Sequence, residues 1–409
     1  MKLSKSITED YSSISKKLTS LLSKNDKKND GIYFTPPSCI NKNINLLLPY
    51  LENVINVLEP SCGSGEYITA LHNLCPSFNI VGIEKNKQIY ESILQMSNEK
   101  ITILNEDFLK YTIKTKYDLI IGNPPFYVMK KQDVEKIYHN YFEGRPNIFI
   151  LFIIKSLQLL NENGILSFIL PKNFLNCLYY DKTRKFINKY YQILNIVDCG
   201  EDKYIDTKQN TIILILRKKR SCNNNFILKM NKFTIFGEKT HNEQIINLYK
   251  NSKSLSELGF KVSIGSVVWN QCKNILTDDE TKTRLIYTSD IEDNTLIKKG
   301  GKNVDKKQYI NKPGIKDLMI LINRGFGVGK YIFNYCLLNE KKEFLIENHL
   351  ICIKYNNCDL PYEELLIIYN KIISSFNDKR TLEFIDLYFG NNAINSTELS
   401  NIFPIYQDI

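Results

Sequence analysis

Leu119-Ile120-Ile121-Gly122-Asn123-Pro124-Pro125-Phe126 decides how this chain is read. Its apolar run predicts a strand buried on both faces, and that strand stops at an Asn-Pro-Pro-aromatic corner. The two prolines fix the backbone and remove two N–H donors, so the flanking carbonyls point outward. The Asn123 side-chain oxygen and the Pro124 carbonyl then form a stiff rim of acceptors. Pro125 braces the rim and Phe126 offers an aromatic face. Such a rim suits a planar amino group. Two acceptors draw on its hydrogens, its lone pair leaves the ring and becomes nucleophilic, and Phe126 can stack on that ring. Alone, the same residues also read as an ordinary strand-ending turn with a core Phe.

The flanking sequence supplies the frame. Strands are predicted at Val54–Leu58, Asn79–Ile83, Ile101–Leu104, Tyr117–Ile121, Gly164–Leu170, Ile193–Val197 and Thr211–Leu216. Helices are predicted at Glu66–Leu74, Lys87–Met96, Asn147–Leu160 and Asn173–Tyr190. Strands alternating with helices imply βαβ units, hence an α/β, doubly wound, mostly parallel seven-stranded sheet. Ligands of such sheets sit outside the carboxyl ends of the strands.

The chemistry-bearing residues stand at those ends. After the first strand comes Glu59-Pro60-Ser61-Cys62-Gly63-Ser64-Gly65, where Gly63 and Gly65 allow a tight turn against a ligand. Ile68 replaces the third glycine of a dinucleotide fingerprint, and the acidic Glu59 disfavours phosphate but suits a cationic centre. After the second strand, Glu84 can take two ribose hydroxyls. After the third, Asp107 can accept from an adenine amino group while Phe108 covers the ring. The corner follows the fourth.

The bulk composition narrows the classes. The chain has 409 residues, a hydrophobic fraction of 43% and a formal net charge of +10. That length suggests two or three domains, and that charge favours a polyanionic partner, nucleic acid first. An Asn/Lys/Ile-rich composition from an AT-rich genome accounts for part of the excess. The 10 cysteines form no C-x-x-C and the 4 histidines show no ligand spacing, so no metal is expected. No apolar run is long enough to span a bilayer, and no signal peptide opens the chain. A cytoplasmic protein without a membrane partner is expected.

Taken together, these pieces resemble the adenine-N6 DNA methyltransferases of the γ order, the TaqI-like branch of restriction–modification methylases. Tyr33-Phe34-Thr35-Pro36-Pro37 is similar to the cofactor motif ahead of the glycine loop. The Glu59–Gly65 loop is similar to the S-adenosylmethionine loop, Glu84 to the ribose-binding acid, and Asp107-Phe108 to the adenine-binding pair. Asn123-Pro124-Pro125-Phe126 is similar to the catalytic corner, with Phe126 where many members carry Tyr. Pro146–Phe149 and Leu166–Asn173 are similar to downstream landmarks. The likeness covers residues 31–220.

The resemblance implies S-adenosylmethionine as cofactor, held by Tyr33, Phe34, Thr35, Glu59, Ser61, Cys62, Gly63, Gly65, Glu84, Asp107, Phe108 and Asn123. It implies transfer to N6 of an adenine flipped out of double-stranded DNA. Tyr204 is the candidate second aromatic for stacking on the target base. No Pro-Cys pair serves a cytosine-C5 mechanism. Methylation of RNA or of a protein glutamine amide is the alternative, because those substrates also present a planar amino group. A faint further likeness to the PstI/BsuBI group would imply CTGCAG as the target.

Outside this region the reading is coarser. Residues 1–30 are read as an amphipathic helical arm, carrying Ile7, Tyr11, Ile14, Leu18, Leu21 and Leu22, with a charged linker from Ser23 to Gly31. Ser38 is expected to cap a helix from Cys39 to Leu51. Residues 221–409 are expected to form an α+β target-recognition domain. Lys306 and Lys307 are expected to grip phosphates, and Asn323, Arg324 and His349 to read bases. A rival reading makes the lysine-rich stretch a solvated loop. No carboxylate–lysine cluster suggests a nuclease, and the segment ahead of residue 31 is too short for a nuclease domain. A cognate restriction endonuclease would be a separate partner.

Overall fold

The computed structural model describes residues 10–200, 204–207, 209–219, 225–299, 305–324, 332–357, 360–389 and 394–409. The chain divides into two compact units, Met1–Lys239 and Thr240–Ile409. Ile7 of the expected arm and Lys302 of the lysine-rich stretch lie outside the described residues.

In the first unit the elements run α1 (Ser13–Leu21), α2 (Lys24–Asp30), α3 (Pro37–Leu47), β1 (Asn56–Glu59), α4 (Glu66–Leu74), β2 (Asn79–Ile83), α5 (Lys87–Ile93) and β3 (Ile101–Leu104). They continue β4 (Tyr117–Gly122), α6 (Ile148–Leu159), β5 (Leu160–Pro171), α7 (Asp181–Tyr190), β6 (Gln192–Asp198) and β7 (Thr211–Arg217). The seven strands form one sheet in the order β3-β2-β1-β4-β5-β7-β6. Only β7 runs antiparallel, pairing so with both β5 and β6. This is a Rossmann-like, doubly wound and mostly parallel α/β sheet.

Period-two alternation divides the strand side chains between two cores. Leu58, Ile120, Leu166 and Leu214 face a layer built with Phe149, Ile153 and Leu157 of α6. Val57, Leu119, Ile121 and Ile213 face Ile40 and Ile44 of α3 and Tyr67, Ile68 and Leu71 of α4. Burying each such side chain contributes about 1.5–3 kcal/mol before conformational entropy is counted. Strand order reverses between β1 and β4, and the ends of these two strands carry Glu59 and Asn123. Such a crevice is where a ligand of this kind of sheet binds.

Three local readings change. The charged stretch Lys24–Asp30 is a helix, because Ser23 caps Asp26 N and Gly31 closes the C-terminus in the left-handed conformation at φ 66°. Ser38 is not an N-cap: the helix starts at Pro37, whose missing N–H is an orphan at that position anyway. The hairpin Ile227–Met230/Phe233–Phe236, beyond the expected limit at residue 220, belongs to the first unit. Phe236 fills that unit's core, and Arg184 Nε donates to Thr234 O at 2.5 Å.

The second unit is α+β. An antiparallel sheet runs Phe260–Ile264, Leu350–Tyr355, Met319–Asn323, Tyr335–Leu338, and a second sheet combines Leu276–Thr277, Tyr309–Ile310, Thr283–Ile286 and Phe344–Ile346. Helices Tyr362–Asn377, Lys379–Phe384 and Ser396–Asn401 follow. The Gly265–Asn270 segment is irregular, with a bridge from Val267 to Glu347 and a short 3-10 turn at Trp269–Gln271.

Candidate active site

A cavity of about 550 Å³ opens at the crevice, within the range of small-molecule sites. Tyr33, Phe34, Ser61, Gly63, Glu84, Asp107, Phe108, Asn123 and Pro125 all line it. Residues distant in the chain are thus brought to one place.

The corner is tied to both motifs that precede it. Asn123 Nδ2 donates to Tyr33 O at 3.2 Å and to Thr35 Oγ1 at 3.1 Å. Ser61 Oγ donates to Asn123 O at 3.2 Å. Both amide hydrogens are therefore spent, the flip state of the carboxamide is set, and its oxygen is left over. Asn123 Oδ1 is buried and has no hydrogen-bond partner. Pro124 is buried. Half-buried Phe126 packs edge-on against Phe149, ring centroids 5.9 Å apart.

The glycine turn is organised by acids. Gly63 sits at φ 51°, and its N–H donates to Glu84 Oε2 at 2.9 Å, while Asn86 N donates to Glu84 Oε1 at 2.7 Å. Each Glu84 oxygen keeps a second lone pair. Burial raises the Glu84 carboxyl, against the pull of these backbone donors. Glu59 is 3% exposed, with Oε2 unpartnered. Burial, reinforced by the charges of Glu84 and Glu66, lifts its carboxyl well above the ordinary range. A buried acid with an unpartnered oxygen favours a cation or donor beside it.

The third strand end is a single turn. Asp107 Oδ1 accepts from Leu109 N at 3.1 Å, and Lys85 Nζ lies 3.4 Å from Oδ2. The Phe108 ring leans on Phe152 of α6, centroids 5.0 Å apart.

Thr35, Glu59, Pro124 and Phe126, also expected at the site, stand beside the cavity residues in the chain but do not line the cavity themselves. Three further expected contributors turn elsewhere. Cys62 packs in the core with α3 and α4, and its amide bonds Ile83 O at 2.9 Å, so its thiol does not face the cavity. Gly65, at φ 76°, leaves room for packing: a Cβ there would meet Met96 Sδ at 2.6 Å. Tyr204 is 8% exposed and does not line the cavity. Its loop is folded back by an ion pair between Asp206 and Lys27, 2.8 Å apart, so Tyr204 is buried near Cys39 and Cys199.

In the second unit the expected phosphate grips already have partners. Lys307 pairs with Asp278 at 2.7 Å. Lys306 lies 3.6 Å from Glu347 and over the rings of Trp269 and Tyr287. Asn323 spends its amide on the hairpin neck, donating to Ile332 O at 2.7 Å and accepting from Asn334 N at 2.8 Å. Arg324 and His349 do come together, through Arg324 N to His349 O at 3.3 Å, and His349 Nδ1 lies 2.7 Å from Glu347.

Sequence reasoning foresaw the arm but missed its contacts with the site, and it missed Lys155. Ser15 Oγ lies 2.8 Å from Ser64 Oγ and 2.6 Å from Glu66 Oε1, fastening α1 to the glycine turn. Gly31 abuts the corner, where a Cβ would fall 2.7 Å from Phe126 N. The signal for Lys155 is its isolation as the one charge in the apolar helix α6.

S-adenosylmethionine carries a sulfonium, an ammonium, two ribose hydroxyls and an adenine. Unpartnered Glu59 Oε2, the spare lone pairs of Glu84 and the Asp107–Phe108 turn suit these groups in turn.

The comparisons agree with this geometry. A family model, the Eco57I restriction-modification methylase, matches residues 16–205. The chain is 27% identical to Type II methyltransferase M.CvrRI of Paramecium bursaria Chlorella virus XZ-6E, over 94% of this chain and 96% of that one. It is 26% identical to modification methylase CviBIII of Paramecium bursaria Chlorella virus NC1A, over 97% and 99% of the two chains. The solved DrdV–DNA complex shares the fold, with a TM-score of 0.54 at 13% identity over 97% of this chain and 57% of that one. These likenesses are consistent with the TaqI-like resemblance of the motifs: the chain is similar to methyltransferases of the restriction–modification type, and S-adenosylmethionine is its cofactor.

Proposed function

We propose that the protein methylates N6 of adenine in double-stranded DNA, with the target base turned out of the helix. The observation that carries this reading is the Asn123 carboxamide, anchored through its nitrogen and partnerless at its oxygen. A buried acceptor held in this way needs a donor, and an exocyclic amino group supplies one. When bound, S-adenosylmethionine supplies an electrophilic methyl carbon on a sulfonium.

The chain's own residues do the rest by placement. Asn123 Oδ1 and the Pro124 carbonyl accept the two amino hydrogens and draw the nitrogen lone pair out of conjugation. Glu59 and the turn at Gly63 orient the donor, and Glu84 with Asp107 and Phe108 hold its nucleoside end. Preorganised acceptors and alignment lower the barrier without a covalent enzyme intermediate. An adenine stacked in a duplex cannot reach a corner at the bottom of a crevice. Extrusion costs about a few kcal/mol, which Phe126 stacking offsets in part. The second unit is assigned to target recognition, with Arg324 and His349 as neighbouring candidates for base contacts.

Incubation of the protein with labelled cofactor and, separately, duplex DNA, RNA and protein tests the assignment. Digestion of the DNA to nucleosides should yield N6-methyldeoxyadenosine. Label confined to RNA, to a glutamine amide or to cytosine would overturn it.

A further inference from the structure

Helix α6 buries 10 of its 12 residues, so a lysine in it needs a reason. Lys155 Nζ donates to three backbone carbonyls, Phe108 O at 2.5 Å, Leu109 O at 3.1 Å and Tyr111 O at 2.8 Å. It also lies 5.0 Å from the centroid of the Phe108 ring. One ammonium has three donors, and here each finds an oxygen of the same turn.

The turn is thereby held at both ends. At its start Asp107 takes the amides of Leu109 through Oδ1 at 3.1 Å and of Lys110 and Tyr111 through its carbonyl at 2.9 and 2.8 Å. At its end the outward carbonyls would be orphans without a cation, as at a helix C-terminus. Phe152, one turn before Lys155 on α6, supports the Phe108 ring, and Asp107, Phe108 and Phe152 all line the cavity. Burial lowers the Lys155 pKa, yet carbonyl oxygens and an aromatic face still favour the cation.

We propose that Lys155 is a positioning residue for the adenine ring of the cofactor, fixing the Asp107 carboxylate and the Phe108 ring from behind. The proposal rests on the assignment of Asp107 and Phe108 to that ring. It predicts a defect in nucleoside affinity with little effect on the transfer step, because the lysine acts at the end of the cofactor remote from the reacting carbon.

Calorimetric titration with adenosine and with S-adenosylmethionine tests this on wild type, Lys155→Met, Lys155→Arg and Asp107→Ala, alongside the Tm of each ligand-free protein. Lys155→Met should weaken both ligands by a similar factor, about tenfold for loss of charge-assisted hydrogen bonds. It should raise KM for the cofactor while kcat stays within about twofold, and Lys155→Arg should recover part of the affinity. Unchanged adenosine affinity in Lys155→Met would overturn the proposal, as would a fall in kcat at unchanged KM. Should Lys155→Met fail to fold, Lys155→Gln, which keeps a donor on a shorter stem, takes its place with the same criteria. Unchanged adenosine affinity in Asp107→Ala would instead remove the underlying adenine assignment.

Discussion

Asn123 Nδ2 lies 3.1 Å from Thr35 Oγ1, a hydrogen bond spanning 88 residues of chain. It couples the motif ahead of the glycine turn to the corner and holds the carboxamide in the orientation that the Tyr33 carbonyl, which can only accept, decides. Thr35→Val should therefore lower kcat about five- to tenfold, the worth of one net hydrogen bond, with KM for the cofactor little changed. Thr35→Ser, which keeps the hydroxyl, should remain near wild type. Steady-state kinetics of the two variants checks this.

Gly31 closes α2 at φ 66°, and a Cβ there would meet Phe126 N at 2.7 Å and Pro125 Cβ at 3.1 Å. Both contacts belong to the rigid corner, so neither neighbour can yield cheaply. Gly31→Ala should cost about 1–3 kcal/mol in urea unfolding. Activity should fall further than stability explains, because relief of the clash moves the corner.

Glu59 should give cofactor binding a pH dependence of definite sign. Burial raises its carboxyl, so the ligand-free fold binds a proton that the unfolded chain has released. The stability linked to this group therefore falls as pH rises from the ordinary carboxylate range through the raised value. A cationic ligand favours the ionised acid. Cofactor affinity should accordingly tighten across the same span, by at most about tenfold per pH unit. Glu59→Gln should bind more weakly and with a flatter profile. Calorimetry as a function of pH checks both.

Lys27 is the more deeply buried member of its ion pair, with its side chain 8% exposed against 32% for Asp206. Removing the acid strands an ammonium, whereas removing the lysine leaves an acid that water can reach. Asp206→Asn should thus destabilise more than Lys27→Met, by about 1–3 kcal/mol for the former. Thermal unfolding of the two variants gives the order.

Much of the first unit could be read because each signal is local. The run Leu119–Ile121 and the corner after it fix β4, and the motifs at the next strand ends fall into place by topology. What escaped depends on partners far along the chain. Lys24–Asp30 has no apolar periodicity, so its helix is visible only through its caps and through Lys27, whose acid lies 179 residues away. Cys62 and Gly65 sit in a ligand-binding loop yet serve packing, a distinction set by Met96 and the α3–α4 core. The lysines of the second unit looked unpaired because Asp278 precedes Lys307 by 29 residues and Glu347 follows Lys306 across the second sheet.

Single-turnover transfer with Asn123→Ala, beside its affinity for S-adenosylmethionine, is the most direct test. The oxygen of Asn123 is assigned to the reacting amino group, so the rate should fall by about 10²-fold or more while the cofactor Kd stays within a few-fold. A variant that transfers methyl groups at the wild-type rate, or that loses rate only because the cofactor no longer binds, would contradict the role given to the corner.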